Sequence, residues 1–147
     1  MKPIVMSARM IEAIRAGRKC QTRRVVTDPA HVPFTAGDHL WIKETWGRDT
    51  RGGYVYKLDG ASEEVNWKSP RFMPKEAARI FLSVEDVRQE LLQAVTDAAA
   101  YAEGFDSVED FSAYWDVKNS ERGYPWKQNP RVWVIMFRLS DRPPVDA

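Results

Sequence analysis

Residues 17–24 read Gly17-Arg18-Lys19-Cys20-Gln21-Thr22-Arg23-Arg24, a run in which a helix end delivers a lysine and the following strand presents a hydroxyl between arginines. Lysine and arginine attract anions, phosphate among them, and a hydroxyl beside them can donate or accept a hydrogen bond. Each residue also has a plainer reading. Lys19 can be a solvated surface lysine that touches phosphate, and Thr22 a simple β-former. Cys20, set among cations, is either a thiol of depressed pKa or an inert small hydrophobe. His31 and His39 have no carboxylate or serine partner at a familiar spacing and stay outside any mechanism. With one cysteine and two histidines in 147 residues, an intrachain disulfide is excluded and no zinc-site spacing occurs. Neither a metal nor a cofactor is expected.

The formal net charge of +1 hides an asymmetry. Residues 1–24 carry Lys2, Arg9, Arg15, Arg18, Lys19, Arg23 and Arg24 against the single acid Glu12, whereas residues 85–116 hold nine acids and only Arg88. Either the basic block is a nucleic-acid face backed by an acidic surface, or the two blocks pair with each other. No apolar run approaches the roughly 18 residues of a membrane span, and residues 1–6 are too short for a signal peptide, so a cytoplasmic protein is expected.

The elements that must position these groups follow from the apolar pattern. Residues 3–6 are extended. Ser7 then caps a helix with Met10, Ile11 and Ile14 on one face, and Gly17 ends it. Strands are predicted over 20–26, over 39–46 after a Gly37-Asp38 turn, and over 54–58. Residues 59–74 read as a long loop, unusual enough in a small domain to suggest a flap carrying Trp67 and Phe72. A strand over 78–87 is followed by helices over 96–103, capped by Thr96 and stopped by Gly104, and 107–118, opened by Ser107. Val108, Phe111 and Trp115 form a core stripe on the second of these. Residues 131–139 are almost wholly apolar, as in a strand buried on both faces, and are expected to be the central strand. The expected class is α+β: a small, partly open mixed β-barrel of about five or six strands with short helices. Residues 1–140 should form one domain with a long insertion near 47–75, and 141–147 a flexible tail.

The spacing Gly17-x-Lys19-x-x-Thr22-x-Arg24 resembles the signature of the ASCH family. Ala36-Gly37-Asp38-His39-Leu40-Trp41 is similar to its turn into the next strand, and Trp133-Val134-Ile135-Met136-Phe137 to its last strand. With Ala102-Glu103-Gly104 these landmarks span most of the chain in the family's order, most like its phage-associated branch. The resemblance implies a PUA-like barrel with a cleft for RNA or a nucleobase and, in some members, hydrolysis of an acyl amide on the exocyclic nitrogen of cytidine. Carried over by position, Lys19 corresponds to the catalytic lysine, Thr22 to the nucleophile and Glu103 to the acidic partner. Cys20 stands where the family commonly has threonine, and the 47–75 loop is longer than in the smallest enzymatic members.

Chemistry constrains that mechanism. A threonine hydroxyl needs a base, and a lysine serves only if its pKa, about 10.4 when unperturbed, is lowered by burial or by neighbours such as Arg18, Arg23 and Arg24. Glu103 acts oppositely on a nearby lysine. Residues three apart in an extended chain point to opposite faces, so Lys19 and Thr22 converge only if the junction bends. Glu103 in the last turn of a helix is unfavourable to the helix dipole, so another interaction should hold it there. Three functions follow: binding of RNA or modified nucleosides by Arg18, Lys19, Arg23 and Arg24, with Trp67 the best stacking candidate; amidohydrolysis of acylated cytidine; and, more weakly, ribonuclease action.

Overall fold

The computed structural model describes residues 1–61 and 64–143. Its strands are β1 (Lys2–Val5), β2 (Gln21–Val25), β3 (His39–Lys43), β4 (Trp46–Arg48), β5 (Tyr54–Tyr56), β6 (Phe81–Leu91) and β7 (Arg131–Ser140), and its helices α1 (Ala8–Arg15), α2 (Asp97–Glu103) and α3 (Val108–Asn119). The expected α+β class is what is observed. Five strands form one sheet in the order β1-β3-β6-β7-β2, antiparallel except for β1 beside β3, and β4 pairs with β5 in a separate ribbon. None of the described helices is long and apolar enough to cross a membrane.

The sheet is covered on both faces, which explains the apolar run of β7. Trp133, Ile135 and Phe137 join Ile4, Leu40 and Leu82 under Ile11 and Ile14 of α1. Val132 and Val134 point the other way, into a cluster with Phe105, Phe111 and Trp115 beneath α2 and α3. The register of β2 against β7 sets Thr22 opposite Ile135 and Arg24 opposite Trp133, so Thr22 and Arg24 face the α1 side. Gln21 and Arg23, opposite Met136 and Val134, face α2. Directly paired residues share a face, and the period of two sorts the strand into these sets.

The sheet stays open, and one side chain links its two edge strands, β1 and β2. Arg24 Nη2 donates to the carbonyl of Val5, at the end of β1, at 3.0 Å. A side chain rather than a strand ladder therefore spans the seam of the expected barrel.

Several boundaries differ from the sequence expectation. The strand expected over 39–46 breaks after Lys43, where Glu44, 2% exposed, is gripped by two bonds from Arg79 at 2.8 and 3.0 Å. Its continuation, β4, leaves the main sheet with β5. The strand expected over 54–58 stops at Tyr56 and gives way to a 3-10 turn at Lys57–Asp59, the 59–74 stretch contains another at Pro70–Phe72, and Lys68 bridges to Trp46. Trp46, Met73 and Ala77 form a small core of their own. The centre of the sheet is β6, not β7, because two strands lie on each side of β6 whereas only β2 lies beyond β7. Within the expected tail, Arg142 donates to Ala78 O at 2.7 Å; residues 144–147 lie outside the described residues.

The Gly37-Asp38 turn is held by the Asp38 carboxylate, which accepts from Thr35 N at 3.0 Å and Lys2 Nζ at 3.1 Å. The bond from the Thr35 backbone, aided by Lys2, holds the Asp38 pKa below its ordinary value. A carboxyl depressed in the folded state stabilises above its unfolded pKa, and that contribution is lost as pH falls through the folded value. Asp38→Ala should therefore lower stability by about 1 kcal/mol or less at neutral pH. In urea unfolding curves the gap from wild type should close as pH drops below about 4.

Candidate functional site

Two glycine-ended helices bring the site together. Gly17, at φ +79°, turns the chain out of α1, and the amides of Arg18 and Lys19 both donate to Ala13 O, at 2.9 and 3.0 Å. Gly104, at φ +102°, ends α2, and a Cβ there would sit 3.2 Å from that of Ala13. Only glycine combines that conformation with so close an approach. Between the two ends, Cys20 N donates to Ala102 O at 2.8 Å, and Cys20 O accepts from Phe137 N at 3.0 Å. The backbone of Cys20 thus ties α2 to the sheet while its side chain stays exposed.

At this junction the Glu103 carboxylate sits between two buried cations. Lys19 Nζ donates to Glu103 Oε1 at 3.2 Å, Glu103 O at 2.9 Å and Gln21 O at 2.8 Å. Arg23 Nη1 donates to Glu103 Oε2 at 2.9 Å and Gln21 Oε1 at 2.9 Å, and Nη2 to Glu90 at 2.7 Å. Lys19, Arg23 and Glu103 are each no more than 5% exposed. The acid at a helix C-terminus is thereby explained: two cations neutralise it, and the ammonium also meets the negative end of the helix dipole. The opposed charge blocks do pair, through these contacts and through Arg18 with Asp106 at 2.7 Å.

Burial pushes the Lys19 pKa below the ordinary lysine value; Glu103 pulls it back, and Arg24 and Arg23 push it further down. Protonated, the ammonium matches its three hydrogens to three acceptors and has no lone pair. It is then a holding group, and it becomes a base only on losing a proton.

Beside this cluster, along the edge of β2, lies a cleft of about 450 Å³. Thr22, Arg23, Arg24 and Glu103 line one side. Phe111, Tyr114, Trp115, Lys118 and Arg122 of α3 and its C-terminal extension form the other, and Val5, Ser7 and Met10 close an end. Both faces of β2 reach the cleft because β2 is an edge strand. Thr22 is 1% exposed, and its Oγ1 accepts from Arg24 Nε at 3.1 Å, so its own hydrogen is left to donate. Tyr114 OH and Ser7 Oγ lie 3.1 Å apart and share a hydrogen bond.

The structure brings Lys19, Thr22, Arg23, Arg24 and Glu103 together. Lys19 backs the cleft without lining it, and no hydrogen bond joins its Nζ to Thr22 Oγ1. Arg18 faces away, stacked 4.2 Å from the centre of the Tyr101 ring. Trp67 lies beside Gly47 in the β4–β5 unit, outside the cleft. The α3 wall was missed. Tyr114, Lys118 and Arg122 continue the Phe111 stripe at helical spacing, and this was the available signal, but the polar end of an apolar stripe reads as solvated surface. Among the described residues no group of three or more His, Cys, Asp or Glu side chains could hold a metal ion.

Neither a family model nor a curated protein matches the sequence. Solved structures do. An ASCH domain from Lactobacillus crispatus superposes with a TM-score of 0.53 at 11% identity, covering 90% of this chain and 71% of that one. This chain has the fold of an ASCH domain. An Enterococcus faecalis protein of the DUF984 family gives a TM-score of 0.53 at 12% identity over 88% of the chain, which spans 66% of that protein's length. A hypothetical protein, covered over its full length by 95% of this chain, gives 0.53 at 16% identity.

Removing the carboxylate should leave Lys19 and Arg23 buried without their shared counter-charge. Glu103→Gln is expected to cost about 3–5 kcal/mol. Lys19→Met, which leaves Arg23 to neutralise Glu103, should cost less than half of that. Urea unfolding midpoints of the two variants check the order.

Proposed function

We propose that the chain is an ASCH-domain protein, of the phage-associated branch whose motif order it shares, that binds RNA or a modified nucleoside in the cleft between β2 and α3. The observation that carries this reading is the buried Thr22 hydroxyl, oriented by Arg24 and set opposite the aromatic side chains of Tyr114 and Trp115. The cleft volume falls within the few hundred Å³ usual for small-ligand sites. Aromatic contact supplies about 1–3 kcal/mol per base, and one oriented polar group selects the base edge. A cytoplasmic location, where RNA and nucleosides are at hand, fits the reading.

A second reading, amidohydrolysis of acylated cytidine, is favoured by the lowered pKa of Lys19 beside Glu103. Thr22 Oγ1 would attack the acyl carbon, its proton passing to Lys19 in the neutral form and on to the departing exocyclic nitrogen. Water would then release the acid from the Thr22 ester. Lys19 must first give up one of its present contacts. Ribonuclease action is the third and weakest reading.

The test is equilibrium binding of acylated and methylated cytidines, adenosines and short RNA, with mass-spectrometric detection of products. The binding reading expects saturable binding without turnover, weakened roughly tenfold or more by Tyr114→Ala, a change at the partly exposed aromatic of the α3 wall. Product formation lost in both Thr22→Val and Lys19→Met would move the assignment to the amidohydrolase, and RNA cleavage would move it to the ribonuclease. Folded protein that neither binds nor turns over any of these overturns the proposal.

A further inference from the structure

Arg24 is distinguished by what it lacks. The chain's other buried or partly buried arginines each have a carboxylate: Arg18 has Asp106, Arg23 has Glu90 and Glu103, and Arg79 has Glu44 and Asp59. Arg24, partly buried, pairs with no carboxylate among the described residues. Its Nε donates to the Thr22 hydroxyl and its Nη2 to Val5 O at 3.0 Å and Met6 Sδ at 3.5 Å, all neutral acceptors. Removing a guanidinium from water without a counter-charge is costly. Desolvation accordingly drives its pKa below the ordinary arginine value, and Arg122 adds to that shift against the opposing pull of Glu103 and Tyr114.

The remaining charges of the cleft point the same way. Lys19 and Arg23 balance Glu103 and Glu90. Lys118 and Arg122, exposed at the rim, have no carboxylate partner among the described residues; Arg122 donates to the neutral Asn119 Oδ1 at 2.9 Å. Three cations thus line one cleft in excess of its acids. An aromatic wall accompanies them.

We infer that the cleft seats a phosphate ester against Arg24, Lys118 and Arg122, so that its ligand is a nucleotide or the phosphodiester of an RNA strand, not a neutral nucleoside. The inference rests on the binding reading above. Planar guanidinium groups suit phosphate oxygens, and the charge-assisted bonds they form are about twice as strong as neutral ones.

The experiment is calorimetric titration of the full chain with cytidine and N4-acetylcytidine, with the 5′-monophosphate of each, and with the dinucleoside monophosphate CpC. The phosphate-bearing ligands should bind at least roughly tenfold more tightly than the parent nucleosides. That advantage should shrink as salt rises from about 50 to about 200 mM. In a Lys118→Gln, Arg122→Gln double variant, both changes being on exposed side chains, the nucleotide-to-nucleoside affinity ratio should fall towards one. A 5′-monophosphate that outbinds CpC identifies a free nucleotide as the source of the phosphate; the reverse identifies an RNA strand. Equal binding of nucleoside and nucleotide, with a ratio the double variant leaves unmoved, overturns the phosphate seat and leaves the cleft as a nucleoside site. No binding by any of the five ligands overturns the seat together with the binding reading.

Discussion

One carboxylate holds this site together. Glu103 ends α2 where the helix dipole disfavours a negative charge, and it is stable there because Lys19 and Arg23 reach it from the two ends of the α1-to-β2 junction. All three groups are buried, so each depends on the others: an isolated charge among them would be worth several kcal/mol of instability. The short span from Lys19 to Arg23 is therefore committed to one placement against α2. Cys20 and Gly104 reinforce it, the first through backbone bonds to both α2 and β7, the second by allowing Ala13 and α2 to approach.

That commitment determines the faces of β2. With Arg23 turned to α2, the period of two turns Thr22 and Arg24 the other way, towards the sheet seam. Arg24 then bridges the two edge strands with one nitrogen and orients the Thr22 hydroxyl with another. The same guanidinium links the two edge strands and furnishes the cleft. Catalysis through Lys19 and Thr22 has a geometric condition, since the ammonium, just ahead of β2, is turned to α2 and already meets three acceptors, whereas the hydroxyl is turned to the sheet seam.

Local patterns made much of this legible from sequence. Ser7, Thr96 and Ser107 cap the helices as expected, accepting from Met10, Ala99 and Asp110, because capping depends on residues three apart. The apolar run of β7 announced burial on both faces. Lys19, Thr22 and Glu103 were picked out by their resemblance to a motif, and they do meet or lie side by side. What sequence could not carry was pairing across long separations. Charge counting left open whether the basic and acidic blocks face solvent or each other, since contacts such as Arg23 with Glu90 exist only once β2 and β6 flank β7. The break after Lys43 depends on Arg79, far along the chain, and the placement of Trp67 depends on the β4–β5 ribbon that receives it. Nothing local to the cationic end of α3 reveals that β2 stands opposite.

The most direct test of the account is the site of ligand binding itself, mapped by backbone amide chemical shifts during titration with cytidine 5′-monophosphate and N4-acetylcytidine. The account predicts that the largest shifts fall on Thr22 to Val25 and on Tyr114 to Arg122, the two walls of the cleft, with the β4–β5 ribbon and Trp67 unmoved. Shifts concentrated on that ribbon, or confined to the exposed face around Arg18 and Tyr101, would contradict it.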